Sequence, residues 1–296
     1  MKPGKRFTPW LLLTPALLLV SGCFVVPLLW LGRVSLYERS GSNSQGGSRF
    51  YNPDTFTLSH YQELFTDSYY LQILGGTLVQ AAIITLAVML LAYPCALLIH
   101  RSGTRFKRGA LLTVMLPKLT NLLVLTYGLL VLLSNSGPLN QLLLTLGLIR
   151  EPLSLSYNIV AVTIAEMVII APYPILLLIS LFESVDPHLE IAARGMGAGP
   201  FRAFYHTTFK LTLPGALVAT GLSFTWASAA YIGPLLFGNP VNYTTAVEIY
   251  NIVFEQSNWP LGAALAVSNV LLILSILVGL GFLQCSVGRA IGPKVG

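Results

Sequence analysis

The chain has 296 residues, 54% of them hydrophobic and only 9% charged, with a formal net charge of +6. Soluble domains carry about 25% charged residues, so the composition excludes a soluble enzyme or binding module and marks an integral membrane protein. Period-two alternation is absent, which argues against a β-barrel, and no basic run interleaved with aromatics points to nucleic acid.

Charge-free runs cover 7–32, 68–99, 119–149, 211–247 and 256–288, and a further run, 152–182, is interrupted only by Glu166. An ionised side chain at a helix centre costs roughly 2.5–3.5 kcal/mol on insertion, and a span needs about 20 apolar residues. The pattern predicts an all-α polytopic protein, one domain over 1–296, with six helices near 10–36, 73–99, 110–134, 156–182, 213–237 and 261–285.

In the first predicted helix, Val20–Cys23 reads "VSGC", which resembles a lipoprotein processing box, but the apolar run continues through "FVVPLLWLG" where a polar tether belongs. The loop that follows, about 37–72, includes "YERSGSNSQGGSRFYNPD", rich in turn formers and free of any core pattern. Basic residues concentrate elsewhere. Lys2, Lys5 and Arg6 precede helix one, and Arg101, Arg105, Lys107 and Arg108 follow helix two. Arg194, Arg202 and Lys210 follow helix four, and Arg289 and Lys294 end the chain. These are twelve of the 17 basic residues, and the positive-inside rule places both termini and these loops in the cytoplasm. The pI of about 9.3 is therefore a topology signal.

The helices carry small residues and prolines of structural interest. Gly128, Gly221 and Gly279 read as close-packing points between helices, while Pro94, Pro117, Pro172, Pro174 and Pro234 are candidate hinges that neighbouring groups can also absorb. Glu166, inside the fourth predicted helix, is the intramembrane carboxylate. Such groups face a bundle interior or a water-filled path. Three readings stay open: pairing with Lys118 of the third helix, a protonated hydrogen bond to a neighbour, or a place on the path of a cationic solute. Trp226 and Tyr231 of the fifth helix are available for cation–π contacts in the third reading.

Catalytic and metal signatures are absent from the sequence. There is no G-x-x-x-x-G-K-[ST], H-E-x-x-H or G-x-S-x-G. His60, His100, His188 and His206 are scattered, and Cys23, Cys95 and Cys285 have neither disulfide-framework nor metal spacing.

The longest cytoplasmic loop, 183–212, reads "ESVDPHLEIAARGMGAGPFRAFYHTTFKLT". Asp186 is an N-cap with Pro187 at the first helical position, the glycines from Gly195 to Gly199 stop that helix, and Gly199-Pro200 opens a second. Ile191, Ala192, Ala193 and the glycines present little side-chain bulk, so another protein's backbone can approach closely.

This loop resembles the EAA motif of permease subunits of bacterial ATP-binding-cassette importers. Ala192, Ala193 and Gly197 match, followed by Ala198, Pro200 and Phe201; the Glu slot holds Ile191, with Glu190 one place earlier. The segment "FEQSNWPLGAALA", 254–266, is similar to one in the spermidine/putrescine branch of these permeases. The resemblance implies a non-catalytic type I importer permease of the bacterial inner membrane, working by alternating access on a small solute, with polyamine the favoured class. It also implies a coupling helix in which Glu190, Ile191, Ala192, Ala193, Gly197, Ala198, Pro200 and Phe201 dock the ATPase. The implied partners are two ATPase subunits that bind ATP and Mg, a second permease of different sequence, and an extracytoplasmic solute-binding protein. The competing class is an ion-coupled secondary transporter, which needs no docking loop and shows paired broken helices.

Overall fold

In the computed structural model, residues 8–39, 50–53, 55–155, 157–239 and 243–291 are described. Lys2, Lys5, Arg6 and Lys294 of the topology argument lie outside them, as does part of the 37–72 loop. The chain is helical almost throughout, and it divides into two units, 1–71 with 248–270, and 72–247 with 271–296.

The first unit holds helix α1 (Thr8–Val34), the two-residue strands β1 (Glu38–Arg39) and β2 (Tyr51–Asn52), helix α2 (Ser59–Thr66) and the first part of α14 (Trp259–Ile291). The strands pair antiparallel, Glu38 opposite Asn52. Tyr37 stacks on Tyr51 at 5.3 Å and Phe50 on Trp259 at 4.9 Å, and the Arg39 guanidinium donates to the Gln256 carbonyl at 2.6 Å. This polar and aromatic fastening is local to the end of α1. Farther along that helix Leu18, Leu19 and Leu29 are more than half exposed, as suits a helix whose solvent is lipid.

The second unit is built on α3 (Ser68–Arg101), α4 (Thr104–Leu119), α5 (Leu122–Leu133), α6 (Pro138–Thr145), α7 (Ile159–Ile170), α8 (Pro172–Ser184) and α9 (His188–Gly195). It continues through α10 (Pro200–Phe204), α11 (Lys210–Ser228), α12 (Ile232–Phe237) and the start of α13 (Thr245–Tyr250). Along α3, Ala81, Ile84, Val88, Ala92, Ala96 and Ile99 are buried. Their three- and four-residue spacing is one helical face. Small side chains there let α8 and α11 approach, so that Ile175, Leu178, Phe182, Ala216 and Ala219 share its core. Without a hydrophobic drive between helices in lipid, such close van der Waals contact is what holds them. Buried hydroxyls return to their own helix: Thr85 donates to Ala81 O, Ser223 to Ala219 O and Ser228 to Phe224 O, which satisfies them where no water is at hand.

Among the described residues, four segments are long and apolar enough to cross a membrane: Leu13–Val34, Ser68–Arg101, Leu122–Thr145 and Trp259–Gly288. The pair α7 and α8, bent by 48°, makes a fifth. The predicted third helix, 110–134, is not continuous. Thr120 and Asn121 are extended, and the Asn121 side chain accepts from Leu123 N–H to cap α5. The predicted fifth helix, 213–237, is α11 followed by α12 after a break at 229–231. Pro234 explains that break, because its ring clashes with the carbonyl of residue 230 and it has no N–H to give.

Two of the three expected packing glycines are corrected. A Cβ at Gly221 would rest on Leu277 at 3.5 Å, but Gly128 and Gly279 have nothing within 4 Å, since both face outward from this chain. Among the described glycines, those tight against a side chain of another helix are instead Gly215 against Leu181, Gly262 against Val253 and Gly233 against Glu166. Of the prolines, Pro172 starts α8 at the bend and Pro117 lies in the last turn of α4, whereas α3 runs unbroken through Pro94.

Candidate functional site

The 183–212 loop begins where Lys107 of α4 pairs with Glu183 at the end of α8. Asp186 Oδ1 accepts from His188 N–H at 2.9 Å, and Pro187 already holds helical dihedrals, so the cap falls where the sequence puts it. The other end of α9 closes by a Schellman motif: Gly197 N–H donates to Arg194 O and Ala198 N–H to Ala193 O. Gly197 sits at φ +90°, a conformation that disfavours any Cβ. Gly199 then caps α10, with Pro200 at its start, and a π-helical turn at Tyr205–Phe209 leads into α11.

No residue of α9 is buried. Ile191 is 62% exposed, Met196 83% and Phe201 78%, with Ala192 and Pro200 also exposed and Ala193 and Ala198 partly covered. These apolar groups stay exposed on a loop whose helix α9 is closed at both ends. Glu190 behaves differently from its neighbours. Its side chain is only 15% exposed and turns toward its own chain, where Arg101 reaches it at 3.0 Å, Arg194 at 2.7 Å and the Thr208 hydroxyl at 3.2 Å. A cavity of about 300 Å³ beside this node is lined by His100, Arg101, Phe182, Glu190, Arg194 and Thr208, among others. Arg101 also lies over the Phe204 ring at 5.3 Å.

A second constellation lies where three predicted spans break. Lys118 is at the end of α4, Tyr173 at the start of α8, and Trp226 near the end of α11. Tyr173 and Trp226 stack at 5.0 Å with 17° between their planes, and the Lys118 ammonium sits 3.7 Å from the first ring centroid and 5.4 Å from the second. Glu166 of α7 is 4% exposed and accepts a hydrogen bond from Gly233 N–H.

Several placements differ from the expected ones. Glu166 and Lys118 make no ion pair within 4.0 Å: the ammonium goes to the aromatic faces and the carboxylate to a backbone N–H, although the two stay within electrostatic reach. Helix α7 starts at Ile159, because Asn158 Oδ1 caps Ala161 N–H, so Glu166 lies seven residues in, about 10 Å at 1.5 Å per residue. Tyr231 is not on the fifth helix but in the break, where its carbonyl accepts from Leu235 N–H. Tyr173 was not among the expected path residues. Its sequence signal is an aromatic between two prolines, Pro172-Tyr173-Pro174.

Residues 92–287 match the family described as "Binding-protein-dependent transport system inner membrane component". The chain is 32% identical over 256 residues to the spermidine/putrescine transport system permease protein PotB of Haemophilus influenzae, covering 86% of each. It is 33% identical over 225 residues to the PotB protein of Escherichia coli K12, covering 76% of this chain and 80% of that one. In fold it is similar to a chain of a bacterial ABC transporter involved in the import of the acidic polysaccharide alginate, with a TM-score of 0.72 at 15% identity and 94% of both chains covered.

Proposed function

Because this chain belongs to the family of binding-protein-dependent transport system inner membrane components, and so is a multi-pass permease subunit of an ATP-driven importer rather than an ion-coupled transporter, we propose that its solute is a polyamine of the spermidine or putrescine kind. The observation that carries the solute class is the identity of about one third, over most of both chains, with permeases named for those two polyamines. The aromatic and carboxylate groups at the span breaks are chemically suited to ammonium groups.

The permease itself breaks no covalent bond. In the proposed assembly two cytoplasmic ATPase subunits supply ATP and Mg, a second permease of different sequence completes the path, and an extracytoplasmic binding protein delivers solute. Both termini and the 183–212 loop lie in the cytoplasm, and the 37–72 loop lies outside. Helix α9, with the turn and the start of α10 that follow it, is the coupling element: Ile191, Ala192, Ala193, Gly197, Ala198, Pro200 and Phe201 meet the ATPase, while Glu190 fixes α9 to α3. Closure of the ATPases around nucleotide moves α9, and the packed contact of α8 with α11 passes that motion to the path. The path is lined by Glu166 and Trp226, with Tyr231 at the hinge.

The test is competition. In proteoliposomes holding the full assembly, ATP-dependent uptake of labelled spermidine is expected, and excess putrescine should suppress it while neutral amino acids and sugars do not. An importer that purifies intact, hydrolyses ATP and takes up neither polyamine overturns the solute assignment.

A further inference from the structure

Three expected spans break at one place, and a positive charge is held there on aromatic faces. Lys118 is ten residues beyond Arg108, the last of the basic residues that open α4, about 15 Å along the helix and so about half-way into a hydrocarbon core about 30 Å thick. Two residues later the backbone is extended at Thr120 and Asn121, so the lysine stands on the last turn before a joint. Its ammonium rests at van der Waals distance on Tyr173, which stacks on Trp226. Trp226 is 44% exposed in this chain, so the cradle is open on one side. Non-helical backbone at membrane depth is tolerated where it lines a cavity or is buried in protein, and discontinuous helices of this kind accompany solute sites in transporters.

A stacked pair of electron-rich rings with a carboxylate in electrostatic range is the chemistry that recognises an alkylammonium group. Here the group it holds belongs to the chain itself. A lysine side chain ends in the same primary ammonium on an alkyl stem as the end of a polyamine. We infer that Tyr173 and Trp226 form the recognition site for a terminal ammonium group of the transported solute, and that Lys118 occupies it as a tethered competitor until solute displaces it. The inference rests on the polyamine assignment above for the identity of the solute. With the lysine seated, the cradle is filled and free polyamine in the membrane path finds no partner. With solute seated, the displaced Lys118 leaves on the α4 side of the joint and turns toward the Glu166 carboxylate. An import cycle thereby gains a check against loading without the binding protein, whose delivery supplies solute at high local concentration.

The experiment uses the whole importer in lipid nanodiscs without its binding protein, with labelled spermidine as probe and gel filtration as the check on assembly. The wild-type complex is expected to bind spermidine weakly and Lys118→Met at least tenfold more tightly. Lys118→Arg, which keeps a tethered cation, stays near wild type, and adding Trp226→Leu to Lys118→Met abolishes the gain. Equal affinity of wild type and Lys118→Met overturns the inference. If Lys118→Met does not assemble, the pair Trp226→Tyr and Trp226→Leu decides: uptake retained by the aromatic variant and reduced at least tenfold by the aliphatic one supports the cradle, and equal uptake by both overturns it. Wild-type uptake with the binding protein present is measured alongside. Its absence defeats the polyamine assignment alone, whereas its presence with unchanged Lys118→Met binding defeats the tethered competitor alone.

Discussion

Glu190 and Arg101 join the first turn of α9 to the last turn of α3 through a 3.0 Å ion pair. The carboxylate is shared with Arg194 one turn on, and Thr208 donates to it as well. The EAA-like loop is thus fastened to its own transmembrane body through the residue just before the usual Glu slot, leaving Ile191 and Phe201 outward.

Breaking that fastening should separate motion of α9 from motion of the spans. Both arginines on this node are about half exposed, where ion pairs are worth about 1 kcal/mol or less each, so Glu190→Gln should leave membrane insertion unchanged and lower thermal stability only modestly. Transport per ATP hydrolysed should fall several-fold, and an Arg101→Glu, Glu190→Arg exchange should recover part of it. Coupling ratios in proteoliposomes provide the check, and a wild-type ratio in Glu190→Gln means that the node does not transmit.

Gly197 tests the loop's shape. A Cβ there meets nothing within 4 Å, but φ is +90°, so the effect of a side chain is on the backbone and not a clash within this chain. Forcing a β-branched residue into left-handed backbone costs about 1–2 kcal/mol. Gly197→Val should unwind the Schellman closure and reduce co-purification of the ATPase subunits at normal membrane levels, while Gly197→Asn, which tolerates that conformation better, should lose much less.

Gly233 and Glu166 form the tightest glycine contact among the described residues. A Cβ on Gly233 would collide with Glu166 Oε1, and overpacking of this kind costs typically 1–3 kcal/mol. Gly233→Ala should lower the melting temperature of the purified complex, and Glu166→Ala in the same chain should restore part of the loss. Glu166→Gln keeps the shape and should melt near wild type while reducing polyamine uptake. Additive effects of Gly233→Ala and Glu166→Ala would show that the two do not share a site.

Orientation is open to direct labelling. With Cys23, Cys95 and Cys285 replaced, Phe56→Cys, at a position 75% exposed, should react with an impermeant thiol reagent from outside intact cells. Ser102→Cys, in the basic α3–α4 turn, should react only after permeabilisation. The reverse pattern inverts the topology.

What the sequence made legible was what local chemistry dictates. Asp186 and Pro187 start α9 and Gly197 ends it, as capping rules require, and the charge-free runs locate the long helices α1, α3 and α14. The break between α4 and α5 was not legible, because Pro117, Lys118, Thr120 and Asn121 make only a short polar dip between two apolar stretches, and the Asn121 side-chain cap that opens α5 shows itself only in the fold. Nor was the setting of Lys118 legible. Charge bookkeeping pairs it with Glu166, but its partners are two rings contributed by α8 and α11, a juxtaposition that only tertiary packing creates. Gly128 and Gly279 make no close contact within this chain for a related reason: a small residue permits close approach but does not say which helix makes it.

Import of polyamines by this permease through coupling of α9 to separate ATPases can be measured as a whole. The most direct measurement is ATP-dependent uptake of labelled spermidine into proteoliposomes containing the complete importer and its binding protein, run in parallel with Gly197→Val. Uptake is expected to need ATP and the binding protein, to be suppressed by putrescine, and to be lost in the variant along with ATPase association. Spermidine uptake that persists at wild-type rate in Gly197→Val with the ATPases still bound, or no uptake of either polyamine by an intact ATP-hydrolysing complex, would contradict that expectation.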